Sequence, residues 1–385
     1  LRILILGGDG YLGWPTAMHL SAEGHEVTVV DNYLRRRLAQ QVDGDPLILA
    51  PTLQQRAALW QAKSGKTLKI VIGDLADWTV MTRAFETSEP DAVVHYAEQP
   101  SAPFSMLDRD AADLTLVNNL RVTLNLIQAV KALAPDAHIV KLGTMGEYGT
   151  PDIDIEEGWI DIDHKGRKGH FLFPRQAGSL YHTTKVMDTD LLWFYVRVWG
   201  LRVTDLMQGP VYGLATNEVG LSQGDEVLLP HFAYDEIFGT VLNRFMVQAV
   251  AGIPLTVYGM GGQTRGYLDI RDTLQCIRLV CEQPANKGEL RILNQFVETF
   301  SVNMLAARVQ AAAKPLGLDV AIDHRPNPRK ELEEHYYNPA HTGLLELGLK
   351  PHPLTDEMLS ETMRWITSHR DKIVASRIVR NVKWV

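Results

Sequence analysis

Tyr181-His182-Thr183-Thr184-Lys185 places a phenol and an ammonium one helical turn apart, on the same face. A cation beside a phenol favours the phenolate, which makes Tyr181 a usable general base near neutral pH. The spacing alone carries little weight, because 12 Tyr and 14 Lys in 385 residues give roughly 0.4 such pairs by chance. Thr144 adds to it. It lies just past the strand-like run His138–Leu142, in Leu142-Gly143-Thr144-Met145-Gly146-Glu147-Tyr148-Gly149. There its hydroxyl can share a substrate hydroxyl with Tyr181, which removes the proton as a nicotinamide takes the hydride.

The nicotinamide has its own signal. Gly7-Gly8-Asp9-Gly10-Tyr11-Leu12-Gly13 satisfies both GxGxxG and GxxGxxG, follows a strand (Arg2 to Leu6) and opens a helix (Leu12 to Glu23). Gly7, Gly10, Tyr11, Leu12 and Gly13 are therefore expected to cradle a pyrophosphate at a helix N-terminus. Asp31 ends the next strand, where an acid binds the adenosine ribose hydroxyls and repels a 2′-phosphate, favouring NAD over NADP. Asn32 follows it. Arg35 and Arg36, with Arg37, either accept that phosphate or form a solvated helix face. Asp74, beside Leu75, meets the adenine or caps a helix. Tyr96, Ala97 and Glu98 follow the fourth strand, where ligands collect in such sheets, and Asn118 completes the expected cofactor set.

These groups need a scaffold. Short apolar runs at Glu26–Val30, Lys69–Ile72, Ala92–His95, His138–Leu142 and Arg202–Thr204 alternate with helical patterns such as Asp113–Ala134 and Ser179–Trp199. That alternation marks parallel βαβ units, hence an α/β fold with a doubly wound parallel sheet of the Rossmann type. The expected division is a cofactor domain over 1–208 and a smaller α/β substrate domain over 209–385, with elements near 235–270 returning to the first. Asp235–Ala251 reads as a helix, Leu255–Tyr258 as a strand, Arg291–Leu293 and Val320–Ile322 as small strands around a helix Val302–Lys314. Short helices are expected at Pro339–Leu347 and Thr355–Thr367, and Leu214–His231 reads as an irregular flap.

Composition sets the exclusions. A net charge of −8 argues against a sequence-independent grip on nucleic acid. No apolar run reaches bilayer length. Two cysteines, Cys276 and Cys281, supply neither a disulfide framework nor a zinc set, and the 13 His show no HExxH spacing, so no metal site is expected. A reducing compartment follows. The chain lacks an initiator Met, so trimming is expected and a targeting segment can have been removed.

The glycine loop, the Ser/Thr before a Tyr-Gly, and YxxxK together resemble the extended short-chain dehydrogenase/reductase family acting on nucleotide sugars. Longer runs are similar to its UDP-sulfoquinovose-forming branch: Lys141 to Pro151, Asp154 to Gly158, Gln208-Gly209 with Val211-Tyr212-Gly213, Gly262 to Asp272, and Asn327-Pro328-Arg329 with Glu334 to Asn338. The likeness spans nearly the whole chain and fades in Leu214–His231. It implies bound NAD, UDP-glucose and sulfite as substrates, a homodimer through the two long helices, and room for a sulfite-delivering partner. The implied location is the bacterial cytoplasm, or the chloroplast stroma where a transit peptide has been removed.

The resemblance also assigns residues. Lys185 tunes Tyr181. Glu147 and His182 are the acid/base candidates for elimination across C5–C6; Glu147 also reads as a capping carboxylate and His182 as helix packing. Epimerases usually carry an apolar residue just before that Tyr-Gly, and 4,6-dehydratases resemble Thr-Asp-Glu-Val-Tyr-Gly, with Met145 standing here where the dehydratase acid would be. Met145 is expected to shape the pocket around C6. Gln208 and Val211 face sugar and nicotinamide, Tyr258 and Tyr267 belong to the UDP side, and Arg265 and Arg329 suit a pyrophosphate or structural ion pairs. Pro100 replaces an arginine of the plant enzymes, so positive charge is expected from Arg109 or Arg244. A UDP-sugar 4-epimerase or 4,6-dehydratase, or a silent NAD-binding regulatory protein, are the alternatives.

Overall fold

The computed structural model describes residues 1–221, 224–328 and 335–379. Its centre is a sheet of seven parallel strands: β1 (Arg2–Leu6), β2 (Glu26–Asp31), β3 (Leu68–Ile72), β4 (Ala92–His95), β5 (His138–Thr144), β6 (Arg202–Gln208) and β7 (Leu290–Gln295). Their order is β7-β6-β5-β4-β1-β2-β3. Ile3 to Leu6 and Val93 to His95 are wholly buried, as expected of strands covered by helices on both faces.

The chain winds outward from β1 through β2 to β3, then starts again at β4 on the other side. A crevice opens at that reversal, outside the carboxyl ends of β1 and β4. Register fixes what reaches it. Leu6 pairs with Val30 and with His95, so Gly7, Asp31 and Tyr96 leave the sheet at one level. Further along, Thr144 lies opposite Gln208.

Two helices bring the remaining groups. Arg109–Leu133 starts on Asp108, whose carboxylate accepts from Ala111 N at 2.8 Å. Leu180–Trp199 starts on Ser179, whose hydroxyl accepts from His182 N at 3.2 Å, and it ends at Gly200 with φ +69°. The Ser179 cap makes Tyr181 the second helical residue, at the mouth of the crevice.

Several expectations are corrected. Arg291–Leu293 is part of β7, the seventh strand of the central sheet, and helix Ile270–Glu282 packs against β5 and the first helix. The segment that rejoins the sheet is therefore about 270–295, not 235–270. Helix Val241–Ala251 begins six residues later than expected, because Asp235 caps a turn (accepting from Ile237 N at 2.8 Å) and Thr240 caps the helix. Only Gly343–Glu346 is helical within 339–347, and the expected strand at 320–322 is Ile322–Arg325. The antiparallel hairpin Trp159–His164/Arg167–Leu172 escaped the sequence reading. So did the helix Leu53–Ser64, whereas Leu34–Gln41 and Trp78–Ser88 lie where the arginine helix face and the helix after Asp74 were expected. The smaller lobe gathers Leu255–Tyr258 paired with Ile322–Arg325, and helices Val241–Ala251, Val302–Ala313 and Asp356–Ser368.

Candidate active site

A cleft of about 810 Å³ runs from the glycine loop to the smaller lobe. At its sheet end, Gly7 has φ +87°, and a Cβ there would lie 2.6 Å from the Tyr96 carbonyl carbon. A Cβ on Gly13 would overlap the Gly7 carbonyl oxygen. The loop can thus lie flat against β4 only as glycine. Helix Gly13–Ala22 follows with no side-chain cap; Trp14 N donates to Gly10 O at 3.3 Å and Pro15 has no N–H, so Leu12 and Gly13 carry the N–H groups that can meet a pyrophosphate.

Asp31 accepts from Asp9 N at 2.9 Å and Tyr33 N at 2.6 Å. Burial, and next the Asp9 charge, push its carboxyl up to about 6. Asn32 closes a turn just ahead of helix Leu34–Gln41, accepting from Leu34 N at 2.8 Å, while Tyr33 holds the cap position. Asp74 does not cap the helix Trp78–Ser88. That cap is Asp77, and Asp74 closes a turn onto Ala76 N at 2.9 Å. Asp31, Asn32, Asp74, Leu75, Tyr96, Ala97, Glu98, Asn118 and Val211 all line the cleft, as do Gly7, Gly10, Tyr11, Leu12 and Gly13. The Tyr11 hydroxyl donates to Gly213 O at 2.5 Å.

The arginines separate. Arg35 lines the cleft with its guanidinium 3.6 Å from the Phe238 ring centroid. Arg36 does not line the cleft: its fork holds the Asp9 carboxylate at 2.6 Å through Nε and 2.6 Å through Nη2, and it also reaches the carbonyls of Ala50 and Pro51. Arg56 and His231 close on the same carboxylate. Burial alone would raise the Asp9 carboxyl, but His231, Arg36 and Arg56 hold it well below the usual carboxylate range.

At the other end, Thr144, Met145, Tyr181 and His182 share the cleft with Gln208, Tyr258, Arg265 and Tyr267. The Thr144 hydroxyl accepts from Gly146 N at 3.1 Å, and the Glu147 carboxylate accepts from Thr144 N at 3.2 Å. The His182 ring lies directly on Gly146, where any Cβ would overlap it, and its Nδ1 is 3.0 Å from the Ser179 hydroxyl.

Glu147 is corrected. Its carboxylate does not line the cleft; it is fully buried beneath it, 3.1 Å from Lys141 Nζ and 3.2 Å from Arg175 Nη1. Lys141 also reaches Asp205 at 3.1 Å, Thr189 at 2.6 Å and Lys185 O at 2.9 Å. Glu147 is thereby a brace for the Thr144 turn rather than an acid facing substrate. The network's sequence signal was a lysine inside an apolar strand, Ile139-Val140-Lys141-Leu142, where a charge needs buried partners.

Lys185 stands near Tyr181 and is shared with other partners. Lys185 Nζ lies 5.9 Å from the Tyr181 ring centroid, but it donates to Leu142 O at 2.6 Å and pairs with Glu98 at 2.7 Å. Burial, then the charges of Glu98 and Glu147, raise the phenol above its ordinary value instead of lowering it.

Arg265 donates to Thr264 O at 2.8 Å and lies 2.6 Å from His335 Nε2. The Tyr258 hydroxyl donates to Glu236 at 2.5 Å. Arg244 lines the cleft beside Tyr258, whereas Arg109 is 83% exposed among Asp110 and Asp113 and supplies no charge to the cleft. Pro100 lines the cleft. Arg329 lies outside the described residues. Among the described residues no His/Cys/Asp/Glu group could hold a metal, and no helix is long and apolar enough to cross a membrane.

Two full-length relatives share more than the fold. The chain is 49% identical over 383 residues to the chloroplastic UDP-sulfoquinovose synthase of Spinacia oleracea, covering all of this chain and 79% of the relative. It is 43% identical over 387 residues to the UDP-sulfoquinovose synthase of Sulfolobus acidocaldarius, covering all of this chain and 98% of the relative. A solved UDP-glucose 4-epimerase from Bifidobacterium longum, in complex with NAD+ and UDP, superposes with a TM-score of 0.72 at 20% identity, over 96% of this chain and 99% of that one. The uncapped helix and glycine cradle fit NAD, and residues 3–294 match the corresponding family model. The chain belongs to the NAD dependent epimerase/dehydratase family.

Proposed function

We propose that the protein converts UDP-glucose and sulfite to UDP-sulfoquinovose through 4-keto and 4-keto-5-ene intermediates. One observation carries this reading: Thr144, Tyr181 and His182 open on the cleft that holds the cofactor loop, while Glu147 is sealed away. The names of the two full-length relatives support it.

Gly7, Gly10, Leu12 and Gly13 would hold NAD at the sheet end of the cleft, where it would supply reversible hydride acceptance at C4. Tyr181 removes the proton from the 4-hydroxyl, with Thr144 sharing that hydroxyl. The resulting ketone acidifies C5–H. With Glu147 withdrawn, His182 takes the C5 proton and returns it to the departing 6-hydroxyl, which leaves as water. Bisulfite then adds at C6 through sulfur, its proton goes to C5, and Tyr181 returns its own proton as C4 is reduced. The sum is UDP-glucose plus bisulfite giving UDP-sulfoquinovose plus water. Arg244, Arg265 and Arg35 supply the positive charge that anionic ligands need.

The dimer belongs to the same reading. Val117 and Leu124 on helix Arg109–Leu133, with Met187, Phe194 and Val198 on helix Leu180–Trp199, are 40–57% exposed. A second copy would cover that apolar face.

Purified protein with UDP-glucose and sulfite, and no added NAD, should yield a sulfonated UDP-hexose by mass spectrometry. Tyr181→Phe should cut that yield by about 10²–10⁴-fold. UDP-galactose or a UDP-4-keto-6-deoxy sugar as the product would contradict the proposal.

A further inference from the structure

Two serines divide the hold on the reactive end of helix Leu180–Trp199. Tyr181 N donates to the Ser105 hydroxyl at 3.1 Å, and that hydroxyl donates to Ala102 O at 2.7 Å. His182 N donates instead to the Ser179 hydroxyl at 3.2 Å. The same Ser179 oxygen lies 3.0 Å from His182 Nδ1. Ser179 is buried, and its carbonyl accepts from the Thr183 hydroxyl at 2.9 Å. On its other side the ring rests on Gly146, where an added Cβ would meet Nε2 before any other atom. Gly146 and His182 both line the cleft.

This seat gives the two ring nitrogens different surroundings. Nδ1 meets the helix cap, and Nε2 lies on the Gly146 side. A base acting through Nε2 needs its lone pair there, so the ring proton of the neutral imidazole must sit on Nδ1. A free histidine side chain prefers the opposite tautomer, and the bond made by the other nitrogen decides between the two. A serine oxygen has two lone pairs. One accepts the His182 backbone N–H as the cap, and the second can accept Nδ1–H. Once Nε2 has gained a proton, that second bond also stabilises the imidazolium.

We propose that Ser179 is a positioning residue whose hydroxyl oxygen accepts from His182 Nδ1–H and thereby leaves Nε2 as the nitrogen that exchanges the C5 proton. The inference rests on the sulfonation reading, in which His182 is the base at C5. Nε2 takes that proton while the C5–H electron pair passes into the enolate of the 4-ketone. It then gives the proton to the departing 6-hydroxyl, and Nδ1–H stays on Ser179 throughout. One hydroxyl therefore starts the helix and chooses the tautomer of its third residue. Tyr181 does not depend on it, because its own N–H is held by Ser105.

The test uses the cofactor-bound full chain with Ser179→Gly and Ser179→Thr. Glycine at a cap costs a helix little, and threonine keeps the hydroxyl. In protein labelled with nitrogen-15 histidine, the His182 signals are those lost in His182→Gln. Read in its neutral form, the native ring and the Ser179→Thr ring should carry the proton on Nδ1, and the Ser179→Gly ring should shift toward Nε2–H. Nicotinamide reduction on mixing with UDP-glucose should stay within about twofold in Ser179→Gly. Its turnover to the sulfonated product should fall by about 10–100-fold with KM unchanged, and Ser179→Thr should restore most of it. An Nε2–H tautomer in the native protein, or a tautomer unmoved in Ser179→Gly, overturns the proposal. So does an equal fall in nicotinamide reduction and turnover, which would make Ser179 a helix cap alone. The tautomer reading needs no sugar chemistry, so it stands or falls separately from the product identified by mass.

Discussion

The two ends of the cleft rest on two buried ionic clusters built on opposite plans. At the adenosine end, Asp9 is one acid held by three bases, Arg36, Arg56 and His231. At the sugar end, Lys141 is one base held by two acids, Glu147 and Asp205, with Arg175 on the far side of Glu147. The first surrounds an anion with redundant donors, leaving a rigid loop on which a pyrophosphate can lie. The second surrounds a cation with acceptors, and its two acids are matched by two bases. The comparison teaches that one fold fixes its cofactor loop with redundant bases around one acid, and its catalytic turn with one lysine shared between two acids.

The largest effect should come from the irreplaceable member. Lys141 Nζ makes four polar contacts and is wholly buried. Lys141→Met leaves Asp205 buried without a cation and Glu147 with Arg175 alone, and should cost about 3–5 kcal/mol of unfolding free energy, read by urea denaturation. Arg36→Gln should cost less, about 1–3 kcal/mol, because Asp9 keeps Arg56 and His231. Equal losses would erase the contrast between the clusters.

A smaller effect should appear with pH at the adenosine end. Asp31 has its carboxyl raised to about 6 by burial and Asp9. It is therefore ionised above that pH and becomes neutral below it. Its repulsion of a 2′-phosphate should weaken on acidification, so the preference of the apo-protein for NAD over NADP should narrow between pH 8 and pH 5, by about tenfold or less. Calorimetric binding of both dinucleotides at the two pH values would show it, and a constant ratio would mean that Asp31 does not select the cofactor.

The adenosine end was legible because it is local. Strand, glycine loop, helix and Asp31 lie within 31 consecutive residues, and each glycine has a backbone reason to be one. Thr144 and Tyr181 were legible for a similar reason, one closing a strand and one opening a helix. What stayed hidden depends on partners far apart in sequence. Glu98 meets Lys185 across 87 positions, so the sequence could suggest a tuning lysine but not the acid it pairs with. Glu147 looked like an acid near the chemistry, and only packing reveals that it turns inward to Lys141. The segment Leu290–Gln295 seemed to belong to the smaller lobe because the chain passes through that lobe first. Pairing with β6 along six residues returns it to the central sheet. Arg36 and Arg35 are neighbours of identical type, and only geometry sets one against Asp9 and the other on the cleft.

The account turns on a hydride that leaves C4 and comes back to it without exchanging. UDP-glucose carrying deuterium at C4, turned over with sulfite and no added NAD, measures this directly. The account predicts a sulfonated UDP-hexose that retains the deuterium at C4. Loss of the label from that product, or a labelled product bearing no sulfonate, would contradict it.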